Sequence, residues 1–128
     1  MKIEHKKINF EDARGTIRDI FVAEPKEHCT IITTTKGSVR GNHYHKVSRQ
    51  HDYVVSGRMK IYGQKVGEKN ITQAEIGPGD LVVWEPNEAH EFVALEDVIF
   101  ITFVDGVRGG DDYEKDTYRL ETPLHTLA

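Results

Sequence analysis

Short runs of β-branched and aromatic residues recur along the chain, separated by Gly, Pro, Asn and Asp, and nowhere do apolar positions keep a helical period. The pattern predicts nine strands, at 16–22, 29–35, 39–45, 52–56, 59–64, 71–76, 80–84, 90–94 and 98–104. Lys36-Gly37, Ser56-Gly57, Gly67 to Asn70 and Gly77-Pro78-Gly79-Asp80 supply the turns, which makes most pairings antiparallel. Nine short strands in one open sheet would leave an apolar face and bare edges uncovered, so an all-β fold closed as a small barrel or jelly roll is expected. The run Ile99-Phe100-Ile101-Thr102-Phe103-Val104 is apolar on both alternating faces. That predicts cover from a second sheet on one side and from another sheet or a partner subunit on the other, and hence a homodimer.

Composition narrows the function classes. The chain has 128 residues, with 17 Lys plus Arg against 21 Asp plus Glu, a formal charge of −4 and a pI near 6.0. This balance lacks the basic footprint of a nucleic-acid binder, while a local arginine site for phosphate stays open. Cys29 is the only cysteine, which excludes an intrachain disulfide or a cysteine-based metal site. Residues 1–10 are mixed polar and basic without a signal-peptide core, and no apolar run reaches membrane-spanning length, so a cytoplasmic protein with no membrane partner is expected. The length fits one domain over 1–128, with its motifs within 37–104. The stretch 105–128 forms a C-terminal extension that changes character from Arg108, through Gly109-Gly110-Asp111-Asp112. It reads either as a poorly ordered polar tail or, since Tyr113, Tyr118 and Leu120 give it something to dock with, as an excursion over the surface or a lid.

Four of the seven histidines stand out. In Arg40-Gly41-Asn42-His43-Tyr44-His45, residues two apart on a strand share a face, so His43 and His45 project together and Tyr44 points away. Gln50 and His51 point oppositely if the next strand has begun there, and His51 is expected at the surface or a dimer contact. His90 closes Glu85-Pro86-Asn87-Glu88-Ala89-His90, while His5, His28 and His125 are left unassigned.

The block Gly41-x-His43-x-His45-x4-Gln50-x6-Gly57, followed by Gly79-Asp80 through His90, resembles the two sequence motifs of the cupin superfamily. The resemblance implies a double-stranded β-helix with His43, His45, Gln50 and His90 turned inward as ligands of a divalent transition metal. Zn, Ni, Fe and Cu all accept imidazole nitrogen. Gln50 stands where the family usually has glutamate and brings no charge. Glu85 replaces a common proline, and Asn87 a usual glycine whose left-handed backbone asparagine tolerates.

Val39-Arg40-Gly41-Asn42-His43-Tyr44-His45 is also similar to the segment carried by cupins that act on nucleotide-linked keto-sugars: the dTDP-4-dehydrorhamnose 3,5-epimerase-like enzymes, the ketoisomerases, and the cupin domain of capsular polysaccharide reductase-epimerases. This implies an isomerase or epimerase for a nucleotide-activated keto-sugar in surface polysaccharide synthesis. Such chemistry needs a base for the α-proton, an acid to return one, and a positive group for the enolate. His43 or His45 suits the base, Tyr53 or Tyr62 the acid, Arg40 the diphosphate and Trp84 a stacking surface. An imidazole bound to metal has no lone pair left for a proton, so the metal and base roles compete. Two other classes remain: a metal-dependent cupin of another reaction type, such as a dioxygenase or small-molecule isomerase, and a non-catalytic cupin that binds a small ligand.

Overall fold

The computed structural model describes residues 1–108, 112 and 114–128; Gly109, Gly110, Asp111 and Tyr113, which the sequence reading placed in the extension, lie outside the described residues. Among the described residues twelve strands form: β1 (Lys2–His5), β2 (Phe10–Asp12), β3 (Gly15–Ile17), β4 (His28–Thr34), β5 (Val39–Tyr44), β6 (Arg49–Ser56), β7 (Met59–Lys65), β8 (Thr72–Ile76), β9 (Asp80–Trp84), β10 (Glu88–Ala94), β11 (Val98–Asp105) and β12 (Tyr118–Arg119). One sheet runs β1-β9-β6-β11-β4 and the other β12-β5-β10-β7-β8, while β2 and β3 make a separate hairpin. All pairings are antiparallel. From β4 to β11 the chain passes repeatedly from one sheet to the other, the jelly-roll arrangement of the cupin fold. Among the described residues no helix is long and apolar enough to cross a membrane.

The core sits between the two sheets. Alternate residues of each strand reach it: Val54 from β6, Met59 and Ile61 from β7, Val82 and Trp84 from β9, Phe92 from β10, Val98 and Phe100 from β11. A second, smaller cluster lies on the outer face of the other sheet, where Tyr62 and Ala89 are covered by Leu124, with Leu120 packed against them.

Two predicted elements differ. The 16–22 strand shrinks to β3, because Phe21 leaves the hairpin and docks edge-on against His51 and Phe103, with centroids 5.1 and 4.9 Å apart. His51 is therefore buried beneath Phe21 rather than at the surface. The outer face of β11 is covered only in part: Phe103 lies under Phe21, while Ile31 on β4 stays 69% and Ile99 37% exposed.

The described part of 114–128 is a docked strap, not a loose tail. Its two-residue β12 pairs with the end of β5, Tyr118 opposite Tyr44 and Arg119 opposite His43. The Asp116 carboxylate accepts the backbone N–H groups of Lys46, Val47 and Ser48 at 2.8–3.0 Å, which caps the turn between β5 and β6. The strap closes over Glu91, whose buried Oε1 accepts both the backbone N–H and the Nδ1–H of His125.

Candidate active site

The site depends on a break in the regularity of β5. Arg40 pairs with Phe92 and Gly41 with Glu91; the register then slips, and His43 pairs with His90. The extra residue is Asn42, and both Gly41 (φ +82°) and Asn42 (φ +62°) are left-handed. A Cβ on Gly41 would come within 2.8 Å of the His90 carbonyl oxygen, so glycine is required there. Arg40 and His43 are three residues apart and would face opposite ways on a regular strand. The bulge turns both inward, where they line one cavity of about 300 Å³ with Gln50, Thr102, Arg108 and Arg119. Three guanidinium groups at a single opening favour a multiply charged anion, because arginine forks onto phosphate oxygens. Glu114 sits among them, paired with Arg119 through two 2.7 Å bonds.

At the inner end His43, His45 and His90 present nitrogens all within 4.8 Å of one another. The turn before β10 brings His90 there: Asn87 takes φ +64° and donates its backbone N–H to the carbonyl of His45. Hydrogen bonds fix the protons. His45 Nδ1 lies 2.7 Å from the carbonyl oxygen of Asp116, which can only accept, so Nδ1 carries a hydrogen, and in the neutral ring Nε2 then carries a lone pair. Likewise His90 Nδ1 donates to the Glu88 carbonyl, and its buried Nε2 has no partner among the described residues.

Gln50 is oriented from behind. Its amide nitrogen donates to Asp52, a fully buried carboxylate that also accepts from Thr102 Oγ1 at 2.6 Å and Trp84 Nε1 at 3.0 Å. Gln50 Oε1 therefore faces His45 Nε2 at 3.1 Å. Two lone pairs pointed at each other repel unless a positive centre joins them. Three inward imidazoles and one amide oxygen are a donor set that a divalent transition metal satisfies.

Burial sets the charge states. It holds His43 down at about 4, with the neighbouring His45 and Arg119 adding to the effect, and it drives His90 well below the usual imidazole value. His51 is likewise pushed to about 4, by burial and then by Lys26 and Arg49. Burial raises Asp52 to about 6 against the hydrogen bonds it accepts from Thr102, Gln50 and Trp84. Unfolded, the three imidazoles take protons near 6.5, so between pH 6.5 and about 4 the unfolded chain binds more protons at these positions and stability falls with pH. Asp52 acts oppositely, since its folded value exceeds its unfolded 3.8, but it is one group against three. The metal-free protein is expected to have a lower urea midpoint at pH 5 than at pH 7. Equal midpoints would contradict these charge states.

The structure brings Arg40, His43, His45, Gln50 and His90 together and leaves three other candidates out. Tyr53 alternates with the inward Asp52 and Val54 and faces outward. Tyr62 follows the inward Ile61 and packs under Leu124 on the outer face. Neither tyrosine reaches the cavity. Trp84 is 1% exposed, 5.1 Å from the His90 ring, and serves as the floor behind the imidazoles rather than as a stacking surface. Asp52, Arg108, Asp116 and Arg119 escaped the sequence reading. The two-residue alternation of β6 from Gln50 could have found Asp52, whereas the other three sit outside the motif hairpins.

Comparison with known structures finds the same fold in several solved proteins. The protein CapF of Staphylococcus aureus, described as assembling capsular polysaccharide, aligns at 23% identity and TM-score 0.66, over 91% of this chain and 34% of its own. The chain thus spans about a third of that protein. A mutant of the 3,4-ketoisomerase QdtA of Thermoanaerobacterium thermosaccharolyticum, in complex with TDP-4-keto-6-deoxyglucose, aligns at 19% identity and TM-score 0.76, over 93% of this chain and 86% of its own. The dTDP-4-dehydrorhamnose 3,5-epimerase of Sulfolobus tokodaii aligns at 22% identity and TM-score 0.75, over 87% and 72%. At these identities the likeness is one of fold. No curated protein sequence matches. The family model for the polysaccharide biosynthesis C-terminal domain matches residues 10–118, nearly the whole jelly roll with both motif hairpins, and the chain belongs to that family.

Proposed function

We propose that the chain is an isomerase or epimerase that acts on a nucleotide-activated keto-sugar in surface polysaccharide synthesis. One observation carries this reading: a neutral imidazole, His43, lines an open cavity together with three arginines. Arg40, Arg108 and Arg119 bind the diphosphate and so hold the sugar against the imidazoles. His43, with its lone pair free at neutral pH, takes the proton beside the ketone, and the arginine field offsets the charge that develops on the oxygen. The TDP-keto-sugar held by the QdtA mutant supports the ligand class. A panel of dTDP- and UDP-sugars tests it: at 100 times its dissociation constant a true ligand stabilises the fold by about 2.7 kcal/mol, read as a rise in Tm. If no member of the panel raises Tm, the reading fails.

The facing lone pairs of His45 Nε2 and Gln50 Oε1, with the unpartnered His90 Nε2, favour a second reading of the same pocket. His43, His45, His90 and Gln50 Oε1 would hold Zn, Ni, Fe or Cu. The metal supplies a Lewis acid for a ketone oxygen when bound. His43 is then spoken for and transfers no proton, while the arginines keep their role. Solvent exchange of the α-proton separates the two: exchange that survives a chelator belongs to His43, and exchange restored only by added metal belongs to the loaded site.

A further inference from the structure

Asn42 does not line the cavity and is no member of the imidazole cluster, yet it is bonded to the strap at three residues. Its side-chain oxygen accepts the backbone N–H of Leu124 at 3.0 Å, and its amide nitrogen donates to the carbonyls of Leu120 and Thr122 at 3.4 and 3.3 Å. Its own carbonyl accepts the N–H of Leu120 at 3.0 Å. These four bonds fasten the strap just after β12. Upstream of that fastening lie two groups the site uses: Arg119, which lines the cavity, and Asp116, whose carbonyl fixes the proton of His45 on Nδ1.

We propose that Asn42 is the positioning residue through which the strap sets both the protonated nitrogen of His45 and the place of Arg119. Asparagine meets two demands at once. It tolerates the left-handed backbone that the bulge needs, and it carries both a donor and an acceptor for the strap. Glycine meets the first demand and not the second, which separates hairpin shape from strap anchoring. The Arg119 half rests on the nucleotide-sugar reading above; the His45 half does not.

The test titrates Asn42→Gly, Arg119→Gln and the double variant with Zn2+ alone and with dTDP alone. Loss of the partner that orients a metal-binding histidine costs about 10- to 100-fold in metal affinity, so Asn42→Gly is expected to weaken Zn2+ binding by that factor. Arg119→Gln is expected to weaken dTDP by about tenfold or more, through the lost charged hydrogen bond. Asn42→Gly should weaken it comparably, and the double variant no further than Arg119→Gln. Amide hydrogen exchange at Leu120 and Leu124 should rise in Asn42→Gly while the sheets stay protected. Asn42→Asp, which keeps only the acceptor, reads the same coupling should the glycine variant not fold. Wild-type affinities for both probes in Asn42→Gly overturn the proposal, as does an equal loss of dTDP affinity with and without the Arg119 side chain. A wild-type protein that binds Zn2+ but no dTDP sinks the nucleotide-sugar reading and leaves the His45 half standing. Binding of dTDP alone overturns that half, and binding of neither probe overturns both.

Discussion

The His43→Asn variant is expected to exchange the sugar α-proton with deuterated solvent about 10²- to 10⁴-fold more slowly than the wild-type protein, the usual worth of a positioned general base. Asparagine keeps much of the side chain's size and polarity but has no basic nitrogen. Its neighbours are placed worse, since neither His45 nor His90 lines the cavity. His45 and His90 are 7% and 0% exposed, and hydrogen bonds commit the Nδ1 of each to a backbone carbonyl. Because burial and the nearby His45 and Arg119 hold His43 at about 4, it stays unprotonated from pH 8 to pH 5, and its step should show no acid limb over that range. Ligand binding measured by Tm should survive in the variant, since the arginines remain. Exchange within about fivefold of wild type would remove His43 from the base role and favour the metal-loaded reading.

Asp52→Ala is expected to lower stability by about 3 kcal/mol or more, and Tm by about 10 °C, in urea and thermal unfolding of the metal-free protein. Asp52 is the sole carboxylate bonded to the buried Thr102 hydroxyl, the Trp84 indole N–H and the Gln50 amide among the described residues. Each donor stranded in the core costs about 1–3 kcal/mol, and a rotation of Gln50 recovers only one of them. That rotation has a consequence for the site: it carries Oε1 away from His45, so the variant should lose metal affinity as well as stability. Asp52→Asn tests the orientation separately, because an amide in that position sets donor against donor. A loss below about 1 kcal/mol in Asp52→Ala would show that water or a shifted side chain satisfies these groups, and would undo the account of how Gln50 is aimed.

The parts of the molecule legible in the sequence are those where one strand carries its own message. The pairing of His43 and His45 on one face follows from a period of two, and the arrival of His90 beside them from the second motif hairpin. Asn87 at a left-handed turn follows from what asparagine tolerates. What escaped depends on contacts between distant segments. Arg119 reaches the cavity because β12 pairs with β5, seventy-odd residues away, and nothing local announces that pairing. Tyr53 and Tyr62 looked available because their residue type suits an acid, but each occupies the outward phase of its strand. Had the phase been counted from Gln50 on β6 and from Met59 on β7, both would have been set aside. Phe21 misled in another way: its apolar side chain reads as strand, yet its gain comes from covering His51 and Phe103 on a sheet face.

The two left-handed residues at Gly41 and Asn42 also make backbone shape, as well as residue type, a determinant of the chemistry. An even pleat at unchanged length would send the imidazoles at 43 and 45 to the opposite side from the guanidinium at 40, whatever the substitutions made elsewhere on that strand. At this one step of the hairpin a substitution that flattens the backbone, such as Gly41→Val, changes which side chains meet and not merely how tightly they pack.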